Sequence, residues 1–455
     1  MSEHSIVNPH VFREYDIRGD AERDLPDELV TDLGRALGTF WSRRGGRRVA
    51  VGRDCRLSSP RLFEALLEGL LETGVSAIDI GVVPTPLMYF SVFAWDLDGG
   101  VQITGSHNPP QDNGFKMMVG HDTMSGQDIQ ALAAFIRRRD FVRAPGGAVS
   151  ERDALPEYVG FIEGNVRLAP SELKVGVDAG NGAAGPTALA ALRAVGVEPT
   201  ALLCEPDGAF PVHHPDPSMP QNLALLQETI AAEGLDVGIA YDGDGDRIGV
   251  IDARGEIVYG DRLLILLSRH LLRERPGAAI LGEVKCSQTL YDDIARNGGR
   301  PILWKTGHSL IKKKMKEEGA LLAGEMSGHV FYADRFFGFD DAVYTTLRLL
   351  EILASTGQPL HELLADVPTT YSTPEIRVEC PDDQKFDVVE RIKERFGPEH
   401  EVITVDGARI LFDGGWGLVR ASNTQPALVL RFEAQTEARL AEIREAVESA
   451  VQEAR

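Results

Sequence analysis

The segment RRVAVGRDCRLSSPRLFEALLEGLLETGVSAIDIGVVPTP, residues 47–86, joins an apolar run, an amphipathic stretch that ends at Gly74, and a second apolar run. A strand, a helix and a strand in this order and spacing predict a βαβ unit, whose two strands run parallel in one sheet. A Gly that closes an amphipathic stretch is typical of a helix C-terminus. The segment therefore predicts an α/β fold with a mostly parallel sheet.

The same order of elements occurs twice more along the chain. The second copy covers residues 173–208 and the third covers residues 278–309. In each copy the first predicted strand ends near an acidic residue, which is Asp54, Asp178 or Glu283. Three copies of one supersecondary unit predict three similar mixed α/β domains.

Each copy continues through a further helical stretch to a strand that ends in a polar, Gly-rich loop. These loops are TGSHNPP (104–110), YDGDGDR (241–247) and GEMSGH (324–329). Ligands of open α/β sheets gather at the carboxyl ends of the strands. We therefore expect the three loops to line one shared central cleft.

The pattern changes in the C-terminal part of the chain, beyond Val367. Strands predicted from alternating polarity lie between two amphipathic helices, and they cover 401–405, 408–412, 417–420 and 427–433. This pattern predicts a small α+β domain, with a fourth polar loop, RASNTQP, at 420–426.

The predicted organisation is thus three α/β domains and a C-terminal α+β domain around a central cleft. We place these domains at residues 1–149, 150–253, 254–366 and 367–455.

Composition and charge exclude several classes of protein. The chain has 455 residues, of which 43% are hydrophobic and 25% are charged, as in soluble globular proteins. Its net charge of -22 argues against unspecific binding to nucleic acid or to an anionic membrane. We expect a monomer or a small homo-oligomer with a small-molecule substrate.

The sequence also predicts a cytoplasmic location. Residues 1–12 lack the apolar core of a signal peptide, and no apolar run approaches the ~20 residues that span a bilayer. The four cysteines, which show no paired spacing and fit a reducing compartment, are Cys55, Cys204, Cys286 and Cys380.

The first loop places Ser106 and His107 on an exposed turn constrained by Gly and Pro. Gly105 has no Cβ to shield its neighbour, so the Ser106 hydroxyl can be presented to a ligand. A serine held in this way can act as a nucleophile or can carry a phosphoryl group. A hydrogen-bonded structural turn is the alternative that a Ser-His pair alone leaves open.

The second loop has carboxylates at alternate positions, Asp242, Asp244 and Asp246. Such hard oxygen ligands suit Mg²⁺ or Ca²⁺. An EF-hand would need Gly and Glu where Arg247 and Ala253 stand, so that class is excluded. A haloacid dehalogenase would need Thr or Val where Asp246 stands, so that class is excluded too.

The third and fourth loops carry groups that suit a sugar phosphate. Glu325 and Ser327 alternate in a way that fits sugar hydroxyls, and His329 is either a proton carrier or a packed histidine. In the fourth loop the groups that suit a phosphate are Arg420, Ser422, Asn423 and Thr424. A polar hairpin turn remains the alternative for that loop.

A basic run, KKKMK at residues 312–316, lies on a helix-like stretch. We interpret it as the solvated face of a helix.

Taken in chain order, the SHNP, DGDGDR, GEMSGH and RASNT motifs resemble the α-D-phosphohexomutase superfamily, most closely its bacterial phosphomannomutase/phosphoglucomutase branch. YDIRG (15–19), NGFK (113–116) and KTGHS (305–309) agree, so the resemblance covers nearly the whole chain. Met326 stands where the phosphoglucosamine mutases of that superfamily usually have Gln. Gly105 is a small departure, since relatives often have Ala there.

The resemblance implies that Ser106 is phosphorylated in the active enzyme and that its phosphate binds Mg²⁺ together with Asp242, Asp244 and Asp246. Positions that match proton transfer and charge stabilisation are Lys116, Arg18, His329 and, beside the phosphoserine, His107. Positions that match substrate contacts are Tyr15, Arg247, Lys285, His308, Glu325 and Ser327. The loop that holds the phosphate not being transferred is matched by Arg420, Ser422, Asn423 and Thr424.

The activity that this resemblance implies is the interconversion of a hexose 1-phosphate and a hexose 6-phosphate, with mannose or glucose as the sugar. The intermediate would be a hexose 1,6-bisphosphate, which must turn around between two phosphoryl transfers. Alternatives are a phosphoglucosamine mutase, or a metal-dependent sugar-phosphate phosphatase or phosphotransferase that needs no separate phosphate loop. A non-catalytic sugar-phosphate binding protein is a further alternative, although it has no use for Ser106 beside three acids.

Overall fold

The computed structural model describes residues 10–422 and 426–455. Its first sheet is built from residues 17–151 and is mixed. The strands are β1 (Ile17–Asp20), β2 (Arg48–Arg53), β3 (Ser76–Val82), β4 (Gly99–Ile103), β5 (Asp112–Val119), β6 (Asp122–Thr123) and β7 (Val149–Glu151). The helices are α1 (Asp27–Ser42), α2 (Ser59–Leu71), α3 (Thr85–Ala94) and α4 (Gln127–Arg138).

The second sheet follows the helix α5 (Leu155–Asn165). Its strands are β8 (Val175–Asp178), β9 (Thr200–Leu202), β10 (Val237–Tyr241), β11 (Ile248–Asp252) and β12 (Ile257–Val258). Helices α6 (Ala184–Ala194) and α7 (Ala224–Glu233) connect its parallel strands. The hairpin of β11 and β12 carries this sheet to Val258, so the domain boundary placed at 253 falls inside a hairpin.

The third sheet is built from the shortest stretch of chain, residues 279–332. Its strands are β13 (Ala279–Glu283), β14 (Arg300–Trp304), β15 (Leu322–Gly324) and β16 (Val330–Tyr332). The accompanying helices are α8 (Gly260–Glu274), α9 (Gln288–Arg296), α10 (His308–Glu318), α11 (Ala342–Thr356) and α12 (Leu360–Leu363).

These three sheets share one topology, which confirms the predicted repeat. Three parallel strands lie in the orders β3-β2-β4, β9-β8-β10 and β14-β13-β15. In each case the next strand, β5, β11 or β16, returns antiparallel beside the third. The three polar loops are the turns of these hairpins, so each one lies at the carboxyl end of a central, buried strand.

The C-terminal domain is an antiparallel sheet with two helices, as predicted. Its strands are β17 (Tyr371–Ser372), β18 (Ile376–Glu379), β19 (Glu401–Ile403), β20 (Ala408–Phe412), β21 (Gly415–Ala421) and β22 (Ala427–Ala434). Its helices are α13 (Lys385–Phe396) and α14 (Glu437–Ala454). The sheet order is β17-β22-β21-β20-β19, with β18 also paired to β22.

Aromatic packing joins the first three domains. The Phe90 ring on α3 lies 5.2 Å from Tyr158 of α5 and 6.0 Å from Phe337, measured between ring centroids. The C-terminal domain has its own core and meets the third domain at a smaller cluster, formed by Val284, Trp416 and Leu418. The first three domains therefore share a continuous core, and the fourth is attached to it over a smaller apolar contact.

None of the helices in the described ranges is both long enough and apolar enough to cross a membrane.

A buried carboxylate between the second and third domains predicts a pH-dependent stability. Asp341 accepts the Tyr158 hydroxyl at 2.9 Å and caps α11 by accepting the amide of Tyr344 at 2.8 Å. Burial raises the pKa of Asp341 to about 7. The neutral carboxyl is thus favoured by folding. Its stabilisation is complete below the unfolded-state pKa of about 4 and is lost as the pH rises through the folded-state pKa of about 7.

Asp341→Asn should therefore become more stable relative to wild type as the pH rises from 5 to 8, by about 2–3 kcal/mol. Asn retains the cap, because its side-chain oxygen also accepts a helix N–H. Urea unfolding at the two pH values measures the difference. Asp153→Asn is the control, since Asp153 is an exposed carboxylate that also accepts a helix amide, from Leu155 at 2.9 Å. Equal pH dependence in wild type and Asp341→Asn would contradict the prediction.

Candidate active site

The three hairpin turns meet in the interior of the molecule. The Ser106 hydroxyl of the first turn donates to Asp242 Oδ2 of the second turn at 2.9 Å. The second turn in turn pairs with the third through a backbone bridge between Arg247 and His329. The shared cleft expected from the sequence is therefore lined by the three turns in contact with one another.

Ser106 has a backbone conformation that is rare for a residue with a side chain. Its φ is 51°, in the left-handed region, and its amide donates to Thr104 Oγ1 at 2.8 Å. Strain of this kind persists where the surroundings impose it, and it is frequent at functional sites. The residue is only 1% exposed, so the expectation of an exposed turn is wrong. The second domain covers the turn, because His214 contacts the carbonyl of His107.

A buried arginine shapes the serine turn. Arg56 donates to the carbonyls of four residues in the turn, at 2.6–2.9 Å, and these are Ser106, Asn108, Pro109 and Asp112. Asp54 neutralises Arg56 at 3.1 Å and accepts the amide of Gly105 at 3.1 Å. A Cβ on Gly105 would come within 2.5 Å of the Arg56 guanidinium. Gly105 therefore makes room for the group that fixes the turn.

The carboxylates of Asp242, Asp244 and Asp246 form one buried cluster. One oxygen from each lies within 4.8 Å of the others, and all three side chains are fully buried. Burial and the nearby Asp246 and Asp244 carboxylates raise the pKa of Asp242 well above its usual range. Asp244 Oδ1 has no hydrogen-bond partner among the described residues. Three clustered acids with an unused oxygen fit a hard divalent cation.

Lys116 supplies positive charge to this cluster. Its Nζ donates to Asp244 Oδ2 at 2.7 Å and also contacts Asp246. Burial disfavours the ammonium form, but the three carboxylates outweigh burial and raise the pKa of Lys116. The side chain therefore stays charged at a fully buried position.

His329 links the aspartate cluster of the second turn to the third turn. Its Nε2 lies 3.1 Å from Asp246 Oδ1 and its Nδ1 lies 2.6 Å from Glu325 Oε2. Burial alone would lower the pKa of His329, but the Asp246 carboxylate and the Glu325 hydrogen bond raise it to about 9. Although burial opposes ionisation of Glu325, His329 lowers the Glu325 pKa to about 2. His329 is thus a buried imidazolium between two carboxylates.

Further positive groups surround the serine. Arg18 donates to Asn108 Oδ1 at 2.9 Å, and Arg247 Nε lies 4.0 Å from Asp242 Oδ2. His107 Nδ1 lies 3.1 Å from Ser106 Oγ. Burial, together with the charges of Arg247 and Arg18, lowers the pKa of His107 well below its usual range. His107 is therefore neutral.

Contacts continue from this centre towards the C-terminal domain. The His308 ring lies 5.8 Å from His329 and 6.4 Å from Tyr15, between centroids. The Ser327 hydroxyl lies 3.5 Å from His329 Nδ1, and Lys285 Nζ pairs with Glu375 at 3.2 Å.

Of the residues predicted in the fourth loop, Arg420 and Ser422 lie in the described part of the C-terminal domain. Arg420 is 6% exposed and its Nε donates to Asp406 at 3.0 Å. The amide of Ser422 donates to the carbonyl of Ala427 at 2.9 Å, which closes the base of the loop. Asn423 and Thr424 lie outside the described residues.

Four residues at this site were missed by sequence reasoning. They are Arg56, Thr85, Lys312 and Asp340. The Thr85 hydroxyl donates to Asp244 Oδ2 at 2.5 Å. Lys312 points inwards and pairs with Asp340 at 2.9 Å, so the prediction of a solvated face is wrong for this lysine. The signal was available, since 308, 311, 312 and 315 share one helical face.

Family models for the phosphoglucomutase/phosphomannomutase proteins match all four parts of the chain. Alpha/beta/alpha domains I, II and III match residues 9–143, 156–255 and 259–371, and the C-terminal domain matches residues 375–450. The chain belongs to the phosphoglucomutase/phosphomannomutase family.

Individual relatives agree over nearly their whole length. A Pseudomonas putida phosphomannomutase/phosphoglucomutase is 47% identical over 436 residues, 96% of this chain and 94% of the relative. A Neisseria gonorrhoeae phosphoglucomutase is 44% identical over 441 residues, 96% of this chain and 95% of the relative. The crystal structure of a Burkholderia thailandensis family protein superposes with a TM-score of 0.93 at 41% identity, covering 99% of this chain and 98% of that one.

Proposed function

We propose that this protein is a phosphohexomutase that interconverts hexose 1-phosphates and hexose 6-phosphates, with mannose or glucose as the sugar. The names of its relatives support mutase activity on these sugars. The observation that carries the proposal is the buried contact of Ser106 Oγ with Asp242, and the buried Arg420 of the C-terminal domain supports it. A mutase needs two parts. One is a serine beside carboxylates that can bind a metal ion, and the other is a separate arginine that binds phosphate.

The proposed reaction begins with Ser106 carrying a phosphoryl group. A free sugar hydroxyl attacks the phosphorus, the bond from phosphorus to Ser106 Oγ breaks, and the product is a hexose 1,6-bisphosphate. The hydroxyl proton passes to a base in the cleft. After the bisphosphate turns around, Ser106 Oγ attacks the phosphorus at the other end of the sugar, the bond from that phosphorus to the sugar oxygen breaks, and the base returns its proton to that oxygen. That second transfer regenerates the phosphoserine and releases the isomer.

Residues around Ser106 neutralise the charge that develops in the transfer. Phosphoryl transfer depends mainly on positioning and on electrostatic stabilisation. Lys116, Arg18 and Arg247 supply fixed positive charge around the serine. The imidazolium of His329 would offer a proton donor within the same cleft, and His107 beside the serine would stay neutral.

Asp242, Asp244 and Asp246 would hold Mg²⁺ together with an oxygen of the phosphoserine. Bound there, the ion would draw charge from the phosphate and make the phosphorus a better electrophile. The buried cluster and its unused Asp244 oxygen support this assignment.

Both half-reactions would use the same Ser106 and the same Arg420, so the bisphosphate must turn around in the cleft. Glu325, Ser327, His308 and Lys285 would contact the sugar ring. Arg420 would hold whichever phosphate is not reacting, since a guanidinium binds phosphate through two parallel hydrogen bonds.

Incubation with hexose 1-phosphates, followed by phosphorus NMR, tests the proposal. A mutase converts mannose or glucose 1-phosphate to the 6-phosphate without net release of inorganic phosphate. Release of inorganic phosphate would indicate a phosphatase, and an unchanged spectrum would indicate a binding protein. A faster rate with glucosamine 1-phosphate than with either of the other sugars would make the protein a phosphoglucosamine mutase.

The proposed metal site predicts that turnover needs a divalent cation. Asp244→Asn should lower kcat and weaken activation by Mg²⁺ by roughly tenfold or more, because one charged ligand is lost. A titration of activity with Mg²⁺ after chelator treatment measures both effects. Asp236→Asn is a matched control, since Asp236 precedes the same strand, β10, at its opposite end. Wild-type turnover that survives prolonged chelation would contradict the metal assignment.

A further inference from the structure

The turn that connects β19 and β20 packs tightly against the phosphate-binding arginine. Its Gly407 has a φ of 96°, a conformation that favours glycine. A Cβ at Gly407 would come within 2.4 Å of the Val419 carbonyl and 2.7 Å of Arg420 Cβ. Glycine therefore allows this turn, which also contains Asp406, to lie directly on Arg420.

Asp406 makes two contacts with one oxygen. Its Oδ2 accepts Arg420 Nε at 3.0 Å and the backbone N–H of Thr306 at 3.1 Å. The side chains of Arg420 and Asp406 are only 8% and 13% exposed. An ion pair so far removed from water holds its geometry more firmly than a surface pair does.

Thr306 connects this pair to the rest of the cleft. Its carbonyl accepts the Tyr15 hydroxyl at 3.1 Å, and its hydroxyl donates to Glu283 at 2.7 Å. The next amide, of Gly307, donates to Glu325 Oε1 at 2.7 Å. Two consecutive residues thus join the C-terminal domain, the first domain and the sugar-facing Glu325.

We propose that Asp406 is a positioning residue that aims Arg420 at the phosphate which is not being transferred; this inference rests on the mutase function proposed above. Held through Nε, the guanidinium keeps its two terminal nitrogens as the pair for bidentate contact with phosphate. The contact of Asp406 with Thr306 fixes Arg420 relative to the loop that holds Glu325. Asp406 would therefore fix the position of the bound phosphate relative to the sugar ring, although Arg420 and Glu325 lie in different domains.

A double-mutant cycle on Asp406 and Arg420 tests this role. Arg420→Ala should lower kcat/KM for glucose 1-phosphate by roughly thirty- to a hundredfold. Asp406→Ala should raise KM by about tenfold, with a smaller change in kcat, and should release more 1,6-bisphosphate into solution. The double variant should resemble Arg420→Ala alone, because Asp406 acts through Arg420. Additive losses, or an Asp406→Ala enzyme with normal KM, would overturn the proposal.

Asp413→Ala is the matched control, since Asp413 is an exposed residue that also precedes a left-handed glycine, Gly414, at the other end of β20. It should keep wild-type KM and bisphosphate retention. Should Asp406→Ala fail to fold, the isosteric Asp406→Asn replaces it in the same cycle.

The same cycle in calorimetric binding of glucose 6-phosphate separates this proposal from the proposed function. If wild type binds the sugar phosphate without isomerising it, the mutase function fails, and coupled affinity losses still support the role of Asp406. If the affinity losses are additive, or if wild type does not bind, the role of Asp406 is overturned.

Discussion

Ser106→Ala should lose on the order of 10³-fold or more of the mutase activity while keeping its fold. The reason is that the Ser106 hydroxyl oxygen, which contacts Asp242, would carry the phosphoryl group between the two ends of the sugar. Little folding energy depends on it, because the turn is shaped by Arg56 and by the bond from the Ser106 amide to the Thr104 hydroxyl. Coupled assay of glucose 6-phosphate formation measures the loss.

Mass spectrometry gives an independent readout of the same serine. Active wild type should carry one phosphoryl group on the peptide that contains Ser106, and Ser106→Ala should carry none. Ser91→Ala is the control, since Ser91 is also buried but donates its hydroxyl to a helix carbonyl, of Leu87 at 2.8 Å. A fully active Ser106→Ala enzyme, with the phosphoryl group mapped elsewhere, would refute the phosphoserine.

Lys116→Met should reduce kcat by about 10²- to 10⁴-fold, because a charged group that faces the reacting phosphate is lost. The same change leaves the carboxylates of Asp244 and Asp246 buried without their lysine. Breaking a buried ion pair destabilises a protein by about 3–5 kcal/mol, so the melting temperature should fall. Mg²⁺ should restore more stability to Lys116→Met than to wild type, since the ion replaces the missing charge.

Differential scanning fluorimetry with and without Mg²⁺ measures this stability, and steady-state kinetics measure kcat. Lys174→Met, at an exposed position of the second domain, should change neither. Normal turnover in Lys116→Met would show that the lysine serves only to balance the acids.

Local patterns were sufficient to predict the repeated sheets and their turns. An apolar run, a helical period and a closing glycine all lie within about one βαβ unit, so each copy is visible in 47–86 and its two counterparts. The four loops were recognised because each concentrates its functional groups within seven or fewer residues of chain. Such patterns predict which strands end in loops that carry functional groups.

The partners of these loops could not be predicted, because they lie far away in sequence. Thr85 reaches Asp244 across 159 positions, and Arg56 reaches the carbonyl of Ser106 across 50. The burial of Ser106 likewise arises only when the second domain covers the first. Asp406 gave no signal, since an Asp-Gly pair in a hairpin predicts a turn and not a partner in another domain.

The three hairpin turns occupy equivalent places in their sheets, and this limits how a change in one turn can affect the fold. Each turn leaves its sheet from the same strand and returns on the same neighbour, so its sequence can vary without altering the hydrogen-bond ladder. The three sheets therefore offer three equivalent positions around one cavity at which different functional groups can be placed. In this chain the first turn carries a serine, the second carries three acids, and the third carries a glutamate with a histidine. Because Ser106 donates to Asp242 and Arg247 is bridged to His329, a new turn grafted at one of these positions must also fit the turn beside it.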